Sequence, residues 1–385
     1  VKRHGLKISI SILFILSLTG CWNNRPLKNI GINSAIGIDR VEGDKIEFSV
    51  QIVKPSALAT EKNTTEKAFI FASNISDTVH SAGRNLFTKF LNKTIYINHV
   101  QLIVIGEDMA KAGVTDALDF WERDFEANFN AIVMVTKDVD AKTVLQAESE
   151  MELIPIEQIN KSIKNTKLTT EAVESSLLSC ISALNSEGSD LVTGLIQFRE
   201  GGDYSSLSDI DLRGAAVFKG DKLAGYIGPN DVKSLLIITN KAHGGLFEIP
   251  NPFGKNEVFN YEMVSASTKI KIEFQDGEPV FSLKIKLTGG LSELHGKSPS
   301  FTEENIKIFE DAVSGQIKTM VEKTIDITKT EFDSDIFGFG QELTRKYPDY
   351  WEQIKGKWDE IYKTLPVKIE VEASINDFGR IYGGH

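Results

Sequence analysis

One apolar run decides what kind of chain this is. Residues 8–18 carry no charge and follow Lys2, Arg3 and Lys7. As a helix these eleven residues reach about 17 Å, against a bilayer hydrocarbon core of about 30 Å. The run is too short to span, and its charged start, apolar centre and small residues Thr19 and Gly20 read as a secretory signal peptide over residues 1–20. The remainder of the chain is then an ectodomain that folds in water. A total of 385 residues exceeds one ordinary core, so two or three domains are expected. With 41% apolar and 25% charged residues the composition is globular, and ten prolines leave no room for a long disordered or collagen-like tract.

Leu18-Thr19-Gly20-Cys21 resembles the lipobox of bacterial lipoproteins. The resemblance implies diacylglyceryl transfer to Cys21 and cleavage before it; a secretory signal with an incidental cysteine, or an uncleaved anchor, are the alternatives. One acyl chain binds membranes reversibly, with a constant of about 10⁴ M⁻¹, so the two chains of a diacylglyceryl group are what make attachment lasting. The formal charge is −11, from 43 basic and 54 acidic residues. Losing residues 1–20 removes three basic side chains and no acidic one, which leaves −14. That balance, without a dense basic patch, argues against nucleic acid. It also means that the lipid rather than surface charge holds the body at the membrane, with Trp22 placed at headgroup level. With Cys21 acylated, Cys180 has no partner in the chain. Val173, Leu177, Cys180, Ile181 and Leu184 recur at helical spacing within 169–186, which puts the thiol on a buried face.

Strand and helix patterns alternate from the start. Residues 30–39 and 45–53 form a hairpin around Glu42-Gly43-Asp44, and 60–67 is a loop. Residues 77–91 are amphipathic, 94–97 and 101–105 are short strands, 108–123 is helical and 131–136 is a strand. The helix at 169–186 is followed by a strand at 191–198 and by a glycine- and serine-rich stretch at 199–208. The spacing then predicts strands at 214–219 and 245–249 around a short helix near 231–236, closed by the turn Asn251-Pro252-Phe253-Gly254. Two long alternating strands, 261–274 and 280–287, pair across Asp276-Gly277. An amphipathic helix runs from 302 to 328 with Thr302 as N-cap and Ile306, Phe309, Val313, Ile317, Met320 and Thr324 on one stripe. Two further helices and a last strand, 367–375, close the chain; that strand needs an earlier partner, and the hairpin is the candidate. The reading is α+β, with antiparallel and mixed sheets flanked by helices. It has three domains after the signal peptide: 21–200, a small middle one at 209–252, and 258–385 with the long helix.

Catalytic patterns fail on particular residues. No histidine pair has metal-ligand spacing, and none sits beside a cysteine. His99, between two strands, reads as a hydrogen-bonded structural side chain. Gly290-Leu291-Ser292-Glu293-Leu294 has Leu294 where a nucleophile elbow needs glycine. Gly296-Lys297-Ser298 lacks the earlier glycine of a phosphate loop, and Asp209 to Gly214 has Arg213 where a calcium loop needs an oxygen. Gly338-Phe339-Gly340 has neither a third glycine nor a preceding strand, so it serves packing and a tight turn rather than a dinucleotide. No cofactor, metal or catalytic residue is assigned. Trp351 and Trp358, seven apart with Ile354 and Ile361, share a helical face that is either core or a partner-binding surface.

The order of motifs resembles the Ger(x)C family, the lipoprotein C subunits of nutrient germinant receptors in endospore-forming bacteria. The matching residues are Gly20-Cys21-Trp22, Ile36-Gly37-Ile38-Asp39 and Ile103-Val104-Ile105-Gly106-Glu107 with Arg123 downstream. Gly214-Ala215-Ala216-Val217-Phe218-Lys219 and Leu223-Ala224-Gly225 come after these. Asp335-Ile336-Phe337-Gly338-Phe339-Gly340 then precedes Pro348, Trp351 and Trp358. Asn23 and Pro26 depart from the acidic residues common after the Cys-Trp pair. The resemblance implies a three-domain α+β ectodomain without catalytic activity, anchored on the outer face of the spore inner membrane beside two integral membrane partners, the A and B subunits. A solute-binding lipoprotein of a transporter is the rival reading, and it requires two repeated βαβ-rich lobes around a ligand cleft.

Overall fold

The computed structural model describes residues 30–54, 68–89, 94–123, 127–166, 168–296 and 299–377. The signal peptide, Cys21, Trp22, the loop at 60–67, Lys297 and Ser298 lie outside the described residues.

The first hairpin joins β1 (Ile30–Val41) to β2 (Lys45–Val53), and β3 (Phe69–Ser76) lies antiparallel on the outside of β2. Gly43 and Asp44 both take the left-handed backbone that such a turn needs, at φ 77° and 64°. After helix Val79–Lys89, β4 (Thr94–Tyr96) and β5 (Leu102–Ile105) run parallel to β1. Next come β6 (Ile132–Thr136) and β7 (Val192–Phe198), also parallel, then β8 (Ile210–Asp211), β9 (Ala215–Lys219) and β10 (Lys222–Ile227), which restore antiparallel pairing. The main order is β10-β9-β7-β6-β5-β1-β2-β3, with β4 beside β1 and β8 beside β7. β5 and β6 are buried at every position because both faces are covered: Ile103, Val133 and Trp121 lie in one cluster, Val104, Met134 and Leu145 in the other.

The second sheet has the order β11-β12-β13-β14, from β11 (Gly245–Pro250), β12 (Val258–Gln275), β13 (Glu278–Leu294) and β14 (Val367–Asp377). Asp276 and Gly277 make the two-residue turn between β12 and β13 with φ 53° and 86°. The last strand pairs with this hairpin, parallel to β13. Helix Glu303–Thr330 covers the inward face, and Thr302 caps it by accepting from Asn305 N at 3.3 Å. Its buried stripe is Phe309, Val313, Ile317, Val321, Thr324, Ile325 and Thr328; Ile306 and Met320, expected on it, are half-buried at its margins.

The architecture is α+β, with mixed sheets and helices packed on them. The segment 209–252 contributes β8 to β10 to the first sheet and β11 to the second, so hydrogen bonds tie it to both neighbours. Other expectations change in detail. The helix expected over 108–123 is two, Glu107–Ala112 and Thr115–Glu122, because Gly113 turns the backbone to φ 137° between them. The helix expected over 169–186 shrinks to Leu177–Leu184. Thr170 sits at φ 58°, the Ser175 carbonyl accepts from Val133 N at 2.8 Å, and Ser176 caps the shorter helix through Ser179 N at 3.2 Å. Cys180 still lies on its fully buried face. The two helices expected near the C-terminus are three: Phe339–Lys346, Pro348–Ile354 and Trp358–Thr364. β10 and the helices Ala141–Gln146 and Pro155–Thr166 were not anticipated.

Candidate functional site

Of the four residues singled out from sequence, Cys21 and Trp22 lie outside the described residues, while Trp351 and Trp358 are buried at 2% and 6% exposure. The two indoles do not share one helix: a single tight turn, Lys355–Lys357, separates Pro348–Ile354 from Trp358–Thr364. The rings meet edge to face at 5.4 Å, an interior arrangement that supports their core reading. His99 is exposed in a short turn between β4 and β5.

The C-terminal motif builds a joint between the two sheets, organised by Asp335. This carboxylate is 2% exposed. One oxygen accepts from Gly338 N and Phe339 N at 3.0 and 3.1 Å, the other from Gly340 N at 2.9 Å and the Trp358 indole at 3.3 Å. It thereby satisfies the orphan amides that open helix Phe339–Lys346. The backbone of Asp335 is clasped in turn by Asp190, which donates its N–H to the Asp335 carbonyl and accepts the Asp335 N–H on Oδ2, both at 2.9 Å. Ser334 donates to the Phe218 carbonyl of β9 at 2.6 Å, Gln341 N to the Gly188 carbonyl at 2.9 Å, and the Trp351 indole to Glu187 at 2.9 Å. Lys219 sits between Asp190 and Asp359, at 3.6 and 2.7 Å. Gly340 and Gly188 touch backbone to backbone: a Cβ on Gly340 would lie 2.6 Å from Gly188 Cα. The Gly-Phe-Gly run therefore supplies the packing and the tight turn expected of it, with Gly338 at φ 73°.

A second buried carboxylate organises the first sheet. Asp39, at the end of the Ile36-Gly37-Ile38-Asp39 motif, accepts from Ala141 N at 2.7 Å and Lys142 N at 2.9 Å and so opens helix Ala141–Gln146. Gly106 is tight against it, and the Gly106 N–H reaches the Ile38 carbonyl at 2.9 Å. Burial pushes Asp39 and Asp335 each up to about 6, opposed by the backbone N–H groups they accept from. Burial likewise pushes the Cys180 thiol up to about 12. Sequence reasoning named both motifs and missed these carboxylates. For Asp335 the available signal was an aspartate shortly before glycine-rich backbone, where N–H groups need an acceptor; for Asp39, whose donors Ala141 and Lys142 are remote in sequence, there was no local signal.

A cleft of about 160 Å³ opens at the joint, lined by Ser186, Ser189, Asp190, Asp335, Trp358 and Asp359 among others. Both Asp335 oxygens are taken by backbone and indole donors, so neither stands ready as a base or ligand. No histidine or cysteine lines the cleft. Among the described residues no group of three or more His, Cys, Asp or Glu side chains is placed to hold a metal ion. The geometry is that of a rigid joint: buried acceptors, close glycine backbones and indoles locking one sheet to the other.

Two family models match the chain in tandem. Residues 23–198 match the spore germination protein N-terminal domain, and residues 213–379 match "Spore germination B3/ GerAC like, C-terminal". The chain belongs to the GerAC-like spore germination family. Relatives are similar over almost their whole length. Spore germination protein KC of Bacillus subtilis (strain 168) is 24% identical over 98% of this chain and 96% of its own. For spore germination protein A3 of the same strain the figures are 24%, 97% and 98%, and for spore germination protein B3 they are 20%, 98% and 99%. The crystal structure of the GerBC protein superposes with a TM-score of 0.57 at 20% identity, covering 89% of this chain and 96% of that one, which shows that the GerAC-like fold is shared. The Asp335 joint, spanning Gly188 to Trp358, links the segments matched by the two models.

Proposed function

We propose that this chain is the lipid-anchored, non-enzymatic C subunit of a nutrient germinant receptor, held on the outer face of the spore inner membrane and acting with A and B membrane subunits to start germination. The observation that carries this reading is the tandem match to both germination-family models. Relatives named spore germination proteins B3, KC and A3 align from end to end with it. Among the described residues no helix is long and apolar enough to cross a membrane, so the reading assigns attachment to the lipid on Cys21. The joint fits a scaffold that transmits contact between membrane partners, because its polar groups are spent on each other. The rival solute-binding reading lacks support: its two repeated lobes would need two like sheets, whereas one sheet here is mixed with a parallel centre and the other is a four-stranded sheet built on a long hairpin.

Deleting the gene and following nutrient-triggered germination tests the reading, together with capture of two multi-spanning membrane proteins from detergent-solubilised spores through a tag on this chain. Loss of the response to at least one nutrient and recovery of both partners are expected. A normal response to every nutrient in a strain stripped of its other receptors would overturn the proposal. Cys21→Ala is expected to release the chain from the membrane fraction, and its retention there without lipid would refute the anchor.

A further inference from the structure

A second pocket, of about 200 Å³, shares no residue with the joint. It opens where β1 and β5 begin and β2 ends, under the start of helix Pro155–Thr166. Its walls are of two kinds: Ile32, Val53 and Ile154 are aliphatic, while Ser34, Gln101, Glu157 and the exposed His99 are polar. No lysine or arginine lines it. Ser34 is the extra residue that the register shift between Asn33 and Ala35 adds to β1, and a bulge re-aims its side chain. It is 4% exposed and spends its hydroxyl proton on the Gln51 carbonyl at 3.0 Å, which leaves its oxygen as an acceptor. The Gln101 N–H donates to the Ser34 carbonyl at 2.9 Å and so sets the two residues side by side. Gln101 Oε1 accepts from Asn160 at 2.8 Å and, as a carbonyl oxygen, keeps a second lone pair. Asn160 is itself 7% exposed, and its Oδ1 has no hydrogen-bond partner among the described residues. Half-buried Glu157 adds a carboxylate to the same wall. Lys161 is held by Glu152 at 2.6 Å and stands 3.9 Å from Glu157, so its charge is engaged mainly elsewhere. The helix start does not reverse this balance: Pro155 has no N–H, and the Glu157 N–H goes to the Ile154 carbonyl at 3.0 Å.

We propose that this pocket binds a primary ammonium carried on a short, branched aliphatic body. A wall rich in acceptors selects a ligand rich in donors. An ammonium brings three N–H bonds and no lone pair, and Ser34, Gln101 and Glu157 present acceptors to it. Hydrogen bonds in which one partner is charged are the strong ones, and here the donor and one acceptor both are. Ile32, Val53 and Ile154 take the aliphatic part out of water. The volume lies below the range of about 300–1,000 Å³ typical of drug-sized ligands, so that part is a few carbons. An anion would meet acceptors and a carboxylate with no cationic wall residue. A divalent metal ion would find one charged oxygen ligand where it needs several. The inference goes beyond the receptor reading and does not depend on it. A free amine and an amino acid share this chemistry, and the test separates them.

The test is saturation-transfer NMR on the detergent-solubilised full chain, titrated with isobutylamine, valine and isobutyrate. Isobutylamine is expected to saturate with a Kd on the order of 1 mM, as suits so small a ligand, and isobutyrate to show no saturable binding. Either result with valine supports the pocket: saturation assigns it to amino acids, and exclusion assigns it to free amines. Glu157→Gln is expected to weaken isobutylamine at least about tenfold. Gln101→Glu adds a carboxylate at an exposed position while keeping an acceptor for Asn160, and is expected to tighten binding about tenfold. A gain of that kind cannot come from misfolding. Glu322→Gln, on the exposed side of the long helix, is expected to leave the affinity unchanged. No saturable binding of isobutylamine, equal binding of isobutyrate, or an affinity indifferent to Glu157→Gln and Gln101→Glu would overturn the proposal. So would equal weakening by Glu322→Gln, which would reduce the binding to general attraction between a cation and an acidic chain.

Discussion

Gly340→Ala sets two magnitudes of opposite sign against each other. Gly340 lies in the first turn of helix Phe339–Lys346. Helix propensity alone predicts that alanine there is stabilising by about 0.8–1 kcal/mol. The packing predicts the reverse. The new Cβ would stand 2.6 Å from Gly188 Cα, 2.8 Å from Gly188 O and 2.8 Å from the Trp358 indole nitrogen, and two of those three atoms are backbone. Moving the helix away strains a close-packed interior, at a cost of about 1–3 kcal/mol. The same movement stretches the Gln341 N to Gly188 O and Gly340 N to Asp335 bonds, both 2.9 Å. Each buried group left without its partner costs about a further 1–3 kcal/mol. The net expectation is a loss of about 2–4 kcal/mol. Gly315→Ala in the long helix is the internal control, because nothing lies within 4 Å of the Cβ it would add; it is expected to stabilise by about 0.5–1 kcal/mol. Urea unfolding of both variants and the parent, followed by tryptophan fluorescence, reads the two signs directly. A neutral or stabilising Gly340→Ala would refute the joint as a rigid backbone contact.

Other expectations concern the buried groups. Cys180, with its thiol pushed up to about 12 by burial, is expected to resist a thiol reagent at neutral pH in the native chain and to react once urea unfolds it; rapid native labelling would contradict its placement. Asp39 titrates at about 6 in the folded chain against an ordinary value of 3.8, so the folded state holds the extra proton between those values. Its contribution to stability is present in full below 3.8 and is lost as pH rises through about 6. Relative to Asp39→Asn, the parent is expected to lose roughly 2–3 kcal/mol of unfolding free energy between acid and neutral pH. A pH-independent difference between the two would contradict the burial argument.

The parts of the fold legible in the sequence are those whose cause is local. The β12–β13 hairpin was legible because both strands alternate and Asp276-Gly277 takes the two left-handed positions. The long helix was legible from its apolar stripe and the Thr302 cap. The central parallel strands were found as short apolar runs, yet nothing in 102–105 or 132–136 says which strand lies beside which, since continuous burial erases the alternation that marks a face. The helix expected from 169 was misread because Val173 keeps helical spacing with Leu177 and Cys180, while Thr170 and Ser175 spend their hydroxyls on the distant carbonyls of Gly244 and Val192, and Ser176 starts the helix as its cap. The joint was half legible. Asp335 to Gly340 stood out as a motif, but its reason is Gly188 and Asp190, far away in sequence.

Germination of spores is the most direct test of the account. In a strain lacking its other germinant receptors, a chromosomal copy of this gene is compared with its deletion and with Cys21→Ala, following the fall in optical density after nutrient is added. The account predicts a response from the intact gene, none from the deletion, and a strongly reduced one from Cys21→Ala. A full response without the gene would contradict it.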